Sequence, residues 1–157
     1  MIFSTLSPTS KVWVYISFNS LDSNLKEKIK LSFNTFKSSW KSHGNQVKAQ
    51  MKFIKSNVLV VGAQYKGADI CGRAVDEQVR WVDGISKDCN VDLLNRNNVA
   101  FLFSDSLQIY NFKNIEELVK DGTISNSTLY INSFCTRNSD KIQLPFGEST
   151  LGSKYFS

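Results

Sequence analysis

Histidine and cysteine, the residues that most often bind zinc, are scarce in this sequence. It contains one histidine, His43, and three cysteines, Cys71, Cys89 and Cys135, with no pair in a C-x-x-C spacing. A structural zinc site needs four such ligands, usually in closely spaced pairs. We therefore predict no metal site and no cofactor, and we expect free thiols in a reducing compartment.

Long apolar runs are also missing, and no basic segment followed by an apolar stretch stands near the N-terminus. We therefore expect a soluble protein of the cytoplasm that does not contact a membrane. Of the 157 residues, 41% are hydrophobic and 12% are aromatic, which is enough for a folded core. The sequence predicts a single domain over residues 1–157.

Acidic residues are nearly absent from the first 67 positions. That stretch contains ten lysines and only two acids, Asp22 and Glu27, so its net charge is +8. Residues 68–157 contain nine basic and twelve acidic side chains, which gives a net charge of −3. An uneven distribution of this kind indicates an anionic partner for the first part of the chain.

The first part of the chain has the patterns of a strand, a helix and a hairpin. Residues 11–18 alternate with the period of two that is typical of a strand. A capping box at Asn24 precedes apolar residues at helical spacing, which continue to a stop near Gly44. Residues 47–63 alternate again around a polar interruption, which predicts a hairpin.

The second part continues with shorter helical and strand patterns. They predict a helix ending near Cys89, strands over 99–103 and 107–112, a helix ending at Gly122 and a strand over 128–132. Periodicity fades beyond that point, so residues 136–157 are predicted to form a loosely structured C-terminal tail.

The order of these elements predicts a fold class. The first six spell βαββαβ, the order of a ferredoxin-like sandwich, in which both helices cover one face of an antiparallel sheet. We therefore predict an α+β fold, a ferredoxin-like core extended by an extra hairpin strand, a short helix and a terminal strand.

The helix-free face of that predicted sheet offers a candidate RNA-binding surface. If the aliphatic residues of the first strand face the helices, then Trp13 and Tyr15 face the open side, beside Lys48 and Lys52 of a neighbouring strand. Aromatic rings among lysines can stack on bases while the lysines neutralise phosphates. The alternative is that Trp13 and Tyr15 pack beneath the C-terminal segment as a second small core.

A row of lysines follows one side of the first predicted helix. Lys26, Lys30 and Lys37 recur at intervals of four and seven residues, and Lys41 follows four residues later. At these spacings the ammonium groups lie on one side and can supply contacts to the phosphates of a polyanion. The alternative is an ordinary solvated helix face.

Cys71 lies near the start of the second predicted helix. The helix dipole and the neighbouring Arg73 favour the thiolate form of a cysteine at such a position. Together with Gly72, Arg73 and Asp76 it defines a possible pocket. Asp76 and the sole histidine, His43, could assist a nucleophilic thiol there, but nothing in their spacing shows that they meet. The alternative is an ordinary small residue at a helix start.

Several short segments of the chain are together similar to one known family. They are Trp40 with His43-Gly44, and residues 47–61, 72–76, 91–92 with Arg96, 99–101 and 128–132. On these segments the chain resembles an uncharacterised family of bacterial proteins of about this length, often labelled "ABC transporter ATPase". The resemblance supports an α+β fold and the cytoplasmic compartment. The label has no physical support here, because the Walker motifs of an ATPase are missing from the sequence.

The function that we expect is that of a non-catalytic cytoplasmic binding module. Its basic N-terminal half would engage a polyanion such as RNA or a ribonucleoprotein surface. One alternative is a structural or adaptor protein that binds a protein partner through a sheet edge or the tail. The other alternative is an enzyme with a site near residues 72–76.

Overall fold

Helices and antiparallel strands make up the chain in the computed structural model, which describes residues 1–66 and 69–156. The helices of this part are α1 (Ser23–Ser39), α2 (Gly72–Asp88) and α3 (Ile115–Lys120). The strands are β1 (Lys11–Ile16), β2 (Lys41–Ser42), β3 (Asn45–Gln46), β4 (Lys48–Ile54), β5 (Val58–Gln64), β6 (Asn98–Phe103), β7 (Ser106–Asn111), β8 (Leu129–Ile131) and β9 (Gln143–Pro145). The predicted α+β class is confirmed.

The first sheet has three strands in the order β1-β5-β4, while β2 and β3 form a separate small hairpin. β5 lies in the middle because nearly all of its side chains are apolar, as a strand buried on both faces requires. β1 pairs with it in the register Val14↔Val60 and β4 in the register Met51↔Val61.

The second sheet has four strands in the order β7-β6-β8-β9. β6 pairs with β7 and β8. A ferredoxin-like sandwich would instead place this strand beside β1 in the first sheet. The ferredoxin-like arrangement is therefore not confirmed.

Other groups occupy the outer edge of β1, where a fourth strand would pair. Arg96 Nη1 donates a hydrogen bond to the carbonyl oxygen of Val14 at 3.3 Å, and Asn98 Nδ2 donates to that of Ile16 at 3.0 Å. The amide of Val12 donates to the carbonyl oxygen of Thr136 at 3.1 Å. These contacts use the hydrogen-bonding groups that β6 would need.

Both faces of the first sheet are covered. Val12, Val14 and Ile16 pack on the side of the second sheet, whereas Trp13 and Tyr15 pack on the side of α1 and α2. The prediction had these two sets the other way round and left one face open. A period of two could not decide the orientation, because both sets are apolar enough to be buried.

The N-terminal segment completes the cover on the side of the second sheet. Ile2, Phe3 and Leu6 are buried there. A Cβ atom at Gly62 in β5 would lie 2.7 Å from the Phe3 ring. Glycine therefore stands in this strand because a neighbouring segment approaches the backbone closely.

α1 and α2 contact each other and the first sheet through aromatic side chains. The ring of Phe36 stacks on that of Trp81, with centroids 5.4 Å apart and 13° between the planes. Trp81 Nε1 donates to Ser32 Oγ at 3.0 Å, and Trp40 Nε1 donates to the carbonyl oxygen of Ala74 at 2.9 Å. Each indole thus packs its ring and keeps its N–H hydrogen-bonded.

Residues 136–156 differ from the loosely structured tail that the fading periodicity predicts; Ser157 lies outside the described residues. They contain β9 and two short 3₁₀ turns. Phe146 is fully buried, with its ring 4.9 Å from that of Phe101 and 5.2 Å from that of Tyr130. The segment closes a further apolar cluster on the second sheet. The sequence does not predict this cluster, because the segment is mostly irregular and its buried residues follow no helical or strand period.

Asn138 connects this segment to the N-terminus. Its side chain is fully buried, and Oδ1 accepts a hydrogen bond from the amide of Phe3 at 2.7 Å. Nδ2 donates to the carbonyl oxygens of Phe3 and Leu6 at 2.8 and 2.9 Å. Nδ2 also donates to the carbonyl oxygen of Ser7 at 3.1 Å, so one side chain pairs four backbone groups of the N-terminal segment.

We expect Asn138→Ala to lower the free energy of unfolding by roughly 2 kcal/mol or more, because it leaves the Phe3 amide and the Leu6 carbonyl unpaired and each such buried group costs about 1–3 kcal/mol. Urea denaturation measures the loss. Asn34→Ala, at an exposed position of α1, is the matched control and should change stability by less than about 0.5 kcal/mol. Equal effects of the two substitutions would contradict the structural role of Asn138.

Candidate functional site

Trp13 and Tyr15, predicted to stack on bases, belong to the core beneath α1 and α2. Tyr15 is 1% exposed, and its hydroxyl donates to Gln78 Oε1 at 2.7 Å. Burial raises the pKa of Tyr15 well above its usual value. The half-buried ring of Trp13 lies 6.2 Å from that of Trp40. The two rings thus form neither an open stacking surface nor a second core beneath the C-terminal segment.

The row of lysines on α1 lies on the flank of the helix next to β4. Lys26 Nζ is 5.8 Å from the ring centroid of Phe53 in β4. Lys30 and Lys37 share its side of the helix by their spacing, and both are exposed, as is Lys41 directly after the helix. The helical spacing predicted for Lys41 is wrong, because α1 ends at Ser39 and Lys41 belongs to β2. We term Lys26, Lys30 and Lys37 the basic flank.

The lysines of the first 66 residues make no ion pair with a carboxylate in the part of the chain that the structure describes. Its ion pairs all lie between residues 69 and 137: Arg73–Glu77, Lys87–Asp83, Lys120–Glu116 and Arg137–Asp69. Four of the twelve acids of the second part are thus paired, each with a cation of the same part. The charge of the basic flank is not cancelled at contact distance.

Lys48 and Lys52 make a different set of contacts. Their ammonium groups donate to the carbonyl oxygens of Thr5 at 2.9 Å and of Ile2 at 2.6 Å. Lys52 Nζ also lies 5.3 Å from the ring centroid of Phe3. The two lysines bind the N-terminal segment to β4, so the six predicted lysines and two aromatic residues do not form one surface.

A cavity of about 390 Å³ lies between the β2–β3 hairpin and the start of α2, lined in part by Lys41, His43, Cys71 and Arg73. The hairpin turn has positive φ angles at His43 (51°) and Gly44 (80°). Two such residues in succession are typical of a type I′ turn. The turn brings His43 to the same cavity as Cys71, although 28 positions separate them in the sequence.

The structure brings together part of the predicted pocket. Cys71 and Arg73 line the cavity, whereas Gly72 and Asp76 are exposed outside its lining. Ser42, fully buried beside Cys71, was not predicted. No sequence signal marks this serine, because nothing in a polar hairpin distinguishes a buried hydroxyl from an exposed one.

Ser42 contacts Cys71 and favours the thiolate form of its thiol. Its Oγ accepts a hydrogen bond from the amide of Cys71 at 3.0 Å. Hydrogen bonds from the Ser42 side chain, and then from nearby backbone amides, lower the pKa of the Cys71 thiol. In contrast, burial raises the pKa of Cys89, and it raises that of Cys135 to about 12.

Neither a metal site nor a membrane segment is found among the described residues. Within residues 1–66 and 69–156, no group of three histidine, cysteine or carboxylate side chains is placed to hold a metal ion. No helix in the same residues has the length and hydropathy to cross a membrane.

Comparison with known proteins gives no family for the chain. No protein-family model matches it, and no curated protein or solved structure matches it significantly. The resemblance to the uncharacterised bacterial family therefore stays a prediction.

We expect iodoacetamide to alkylate Cys71 faster than Cys89 or Cys135 at neutral pH, because the thiolate is the reacting form. Ser42→Ala should raise the pKa of Cys71, so that its alkylation rate rises at higher pH than in the native protein. Mass spectrometry of the labelled peptides measures each rate across pH.

Ser38→Ala is the control, because this exposed serine on α1 has no contact with the thiol. An unchanged pH profile in Ser42→Ala would show that the serine does not stabilise the thiolate. A Cys71 rate no higher than that of a model thiol would contradict the predicted pKa shift itself.

Proposed function

We propose that the protein is a non-catalytic cytoplasmic binding module whose basic flank engages a polyanion, with RNA or a ribonucleoprotein surface as the partner. The observation that carries this proposal is a row of lysines with no carboxylate partner in the described residues. Phosphate groups at regular spacing match such a row. The three free cysteines fit a reducing cytoplasm.

The length of the basic flank suits a nucleic-acid strand. Lys26 and Lys37 are eleven positions apart on α1, which corresponds to about 16 Å at a rise of 1.5 Å per residue. A strand with one phosphate per roughly 3.4 Å of axis places several phosphates along that distance. Several contacts can therefore form at once without bending the strand.

The contacts in this proposal are made to phosphates and not to bases. Tyr15 is closed to a base, and Trp13 packs against the helix layer. Lys48 and Lys52 are occupied with the N-terminal segment, so they are not counted among the phosphate contacts. Binding of this kind depends strongly on salt and weakly on sequence.

A second candidate is an adaptor that binds an extended peptide through a sheet edge. β4 is an edge strand of the first sheet, and no described strand pairs with its outer side. A peptide could add there through backbone hydrogen bonds. However, the lysines that β4 carries disfavour edge pairing, which makes the polyanion proposal the stronger of the two.

We expect the double substitution Lys30→Gln/Lys37→Gln to weaken binding of a fluorescent single-stranded RNA oligonucleotide. It should also reduce the slope of log K against log salt by roughly 1.4, because each phosphate contact to a single strand contributes about 0.7. Fluorescence anisotropy over a salt series measures both quantities.

Lys113→Gln/Lys141→Gln is the matched control, because it removes the same charge at two exposed positions of the second part of the chain. The control should leave the slope nearly unchanged. Equal effects of the two double substitutions would indicate that RNA binding depends on net charge and not on a defined surface. No effect of Lys30→Gln/Lys37→Gln would refute RNA binding by the basic flank. If a protein pulled down from lysate with this chain stays bound at high salt and after nuclease treatment, the adaptor would be favoured.

A further inference from the structure

A cavity of about 740 Å³ lies at the end of the first sheet where β1 begins and β5 ends. This volume is within the range of about 300–1,000 Å³ that is typical of small-molecule sites. Four separate stretches of chain line it: 7–11, 63–65, 69–70 and 137–139. None of these stretches carries a lysine of the basic flank.

Two cationic side chains, Lys11 and Arg137, give the cavity an excess of positive charge over its one described lining carboxylate, Asp69. Lys11 has no carboxylate within ion-pair distance among the described residues. Arg137 Nη1 donates to Asp69 Oδ1 at 3.0 Å and to the carbonyl oxygen of Thr9 at 2.9 Å. Both bonds are made by Nη1, and they restrict the orientation of the guanidinium.

The guanidinium keeps further donors for a ligand. Arg137 Nε and Nη2 make no hydrogen bond to the described residues, and Nη1 makes those to Asp69 and Thr9. A planar guanidinium matches two oxygens of a phosphate, and an ammonium group such as that of Lys11 adds a point charge. The pair is therefore suited to a phosphate group rather than to a neutral ligand.

The rest of the lining is suited to a sugar and a ring. Ser7 Oγ and Ser10 Oγ lie 2.9 Å apart, and the exposed carboxylate of Asp69 can accept hydrogen bonds from hydroxyl groups. The half-buried ring of Tyr65 and the buried side chain of Ile70 supply apolar surface. Such a surface can pack against the face of an aromatic base.

We propose that this cavity binds a nucleoside 5′-phosphate. Lys11 and Arg137 contact the phosphate, Asp69 accepts from ribose hydroxyls, and the base packs against Tyr65. The ligand is either a free mononucleotide or the phosphorylated 5′ end of an RNA chain. The site stands apart from the basic flank and does not depend on it.

Isothermal titration calorimetry with adenosine 5′-monophosphate tests the proposal on the intact protein. We expect saturable binding, competition by inorganic phosphate, and a Kd at least tenfold weaker for adenosine, which lacks the phosphate. Lys11→Gln should raise the Kd at least tenfold. Its side chain makes no hydrogen bond in the described structure, so the fold should be retained. Arg137→Lys keeps the charge but loses the planar fork, and should weaken binding as well.

Two further arms separate the possible sources of the phosphate. If a 5′-phosphorylated RNA oligonucleotide binds more tightly than its 5′-hydroxyl counterpart, and Lys11→Gln removes the difference, the ligand is the phosphorylated 5′ end of RNA. Equal binding of the two oligonucleotides supports a free mononucleotide as the ligand. The Lys30→Gln/Lys37→Gln protein should bind adenosine monophosphate with unchanged affinity, so failure of the basic flank leaves this test intact. The proposal would be overturned if adenosine monophosphate at millimolar concentration did not bind. It would also be overturned if neither Lys11→Gln nor inorganic phosphate weakened the binding.

Discussion

Burial of both faces of the β1-β5-β4 sheet is the constraint on which the other features depend. β5 is apolar on both sides, so the sheet needs α1 and α2 on one face and the N-terminal segment with the second sheet on the other. Every aromatic ring that β1 offers is then used in packing. Charged side chains are left to the perimeter, which is where the basic flank and the Lys11–Arg137 cavity lie.

Charge is distributed by the same logic of local pairing. Three acidic residues of α2 and α3, Glu77, Asp83 and Glu116, lie one helical turn from a basic residue and pair with it. Asp22 stands four positions before Lys26 and Glu27 three before Lys30, but neither acid forms an ion pair with a lysine of α1 in the described residues. An exposed charge pair contributes only about 1 kcal/mol at 4 Å in water, and salt screens it over roughly 8–10 Å. Several lysines in a row are therefore needed before an extended anion is bound, and single surface lysines do not suffice.

Local patterns in the sequence predict the elements better than their arrangement. Alternation predicts β1 and the β4–β5 hairpin, and apolar spacing predicts α1 and α2, because these signals lie within one element. The face that Trp13 occupies depends on what covers the sheet, and the sheet that β6 joins depends on Arg96 and Asn98 at the edge of β1. Contacts between distant segments decide both, as they decide the burial of Phe146. The spacing of Lys26, Lys30 and Lys37 is a property of one helix and can be read from the sequence. The contact of Ser42 with Cys71 depends on the β2–β3 hairpin, whose strands have only two residues each and leave no periodic pattern.

The two proposed sites differ in how their cations are prepared for an anion. The lysines of the basic flank have flexible side chains in water, so each contact costs side-chain entropy and is weakened by salt. Arg137 is already held by Asp69 and Thr9, so a ligand orders less of the protein when it binds there. Under the two proposals, attraction over a distance would come from the basic flank, and selection by shape would come from the cavity. If one RNA chain reached both, its second contact would be intramolecular, and the effective concentration set by the connecting nucleotides would raise the affinity without any new contact.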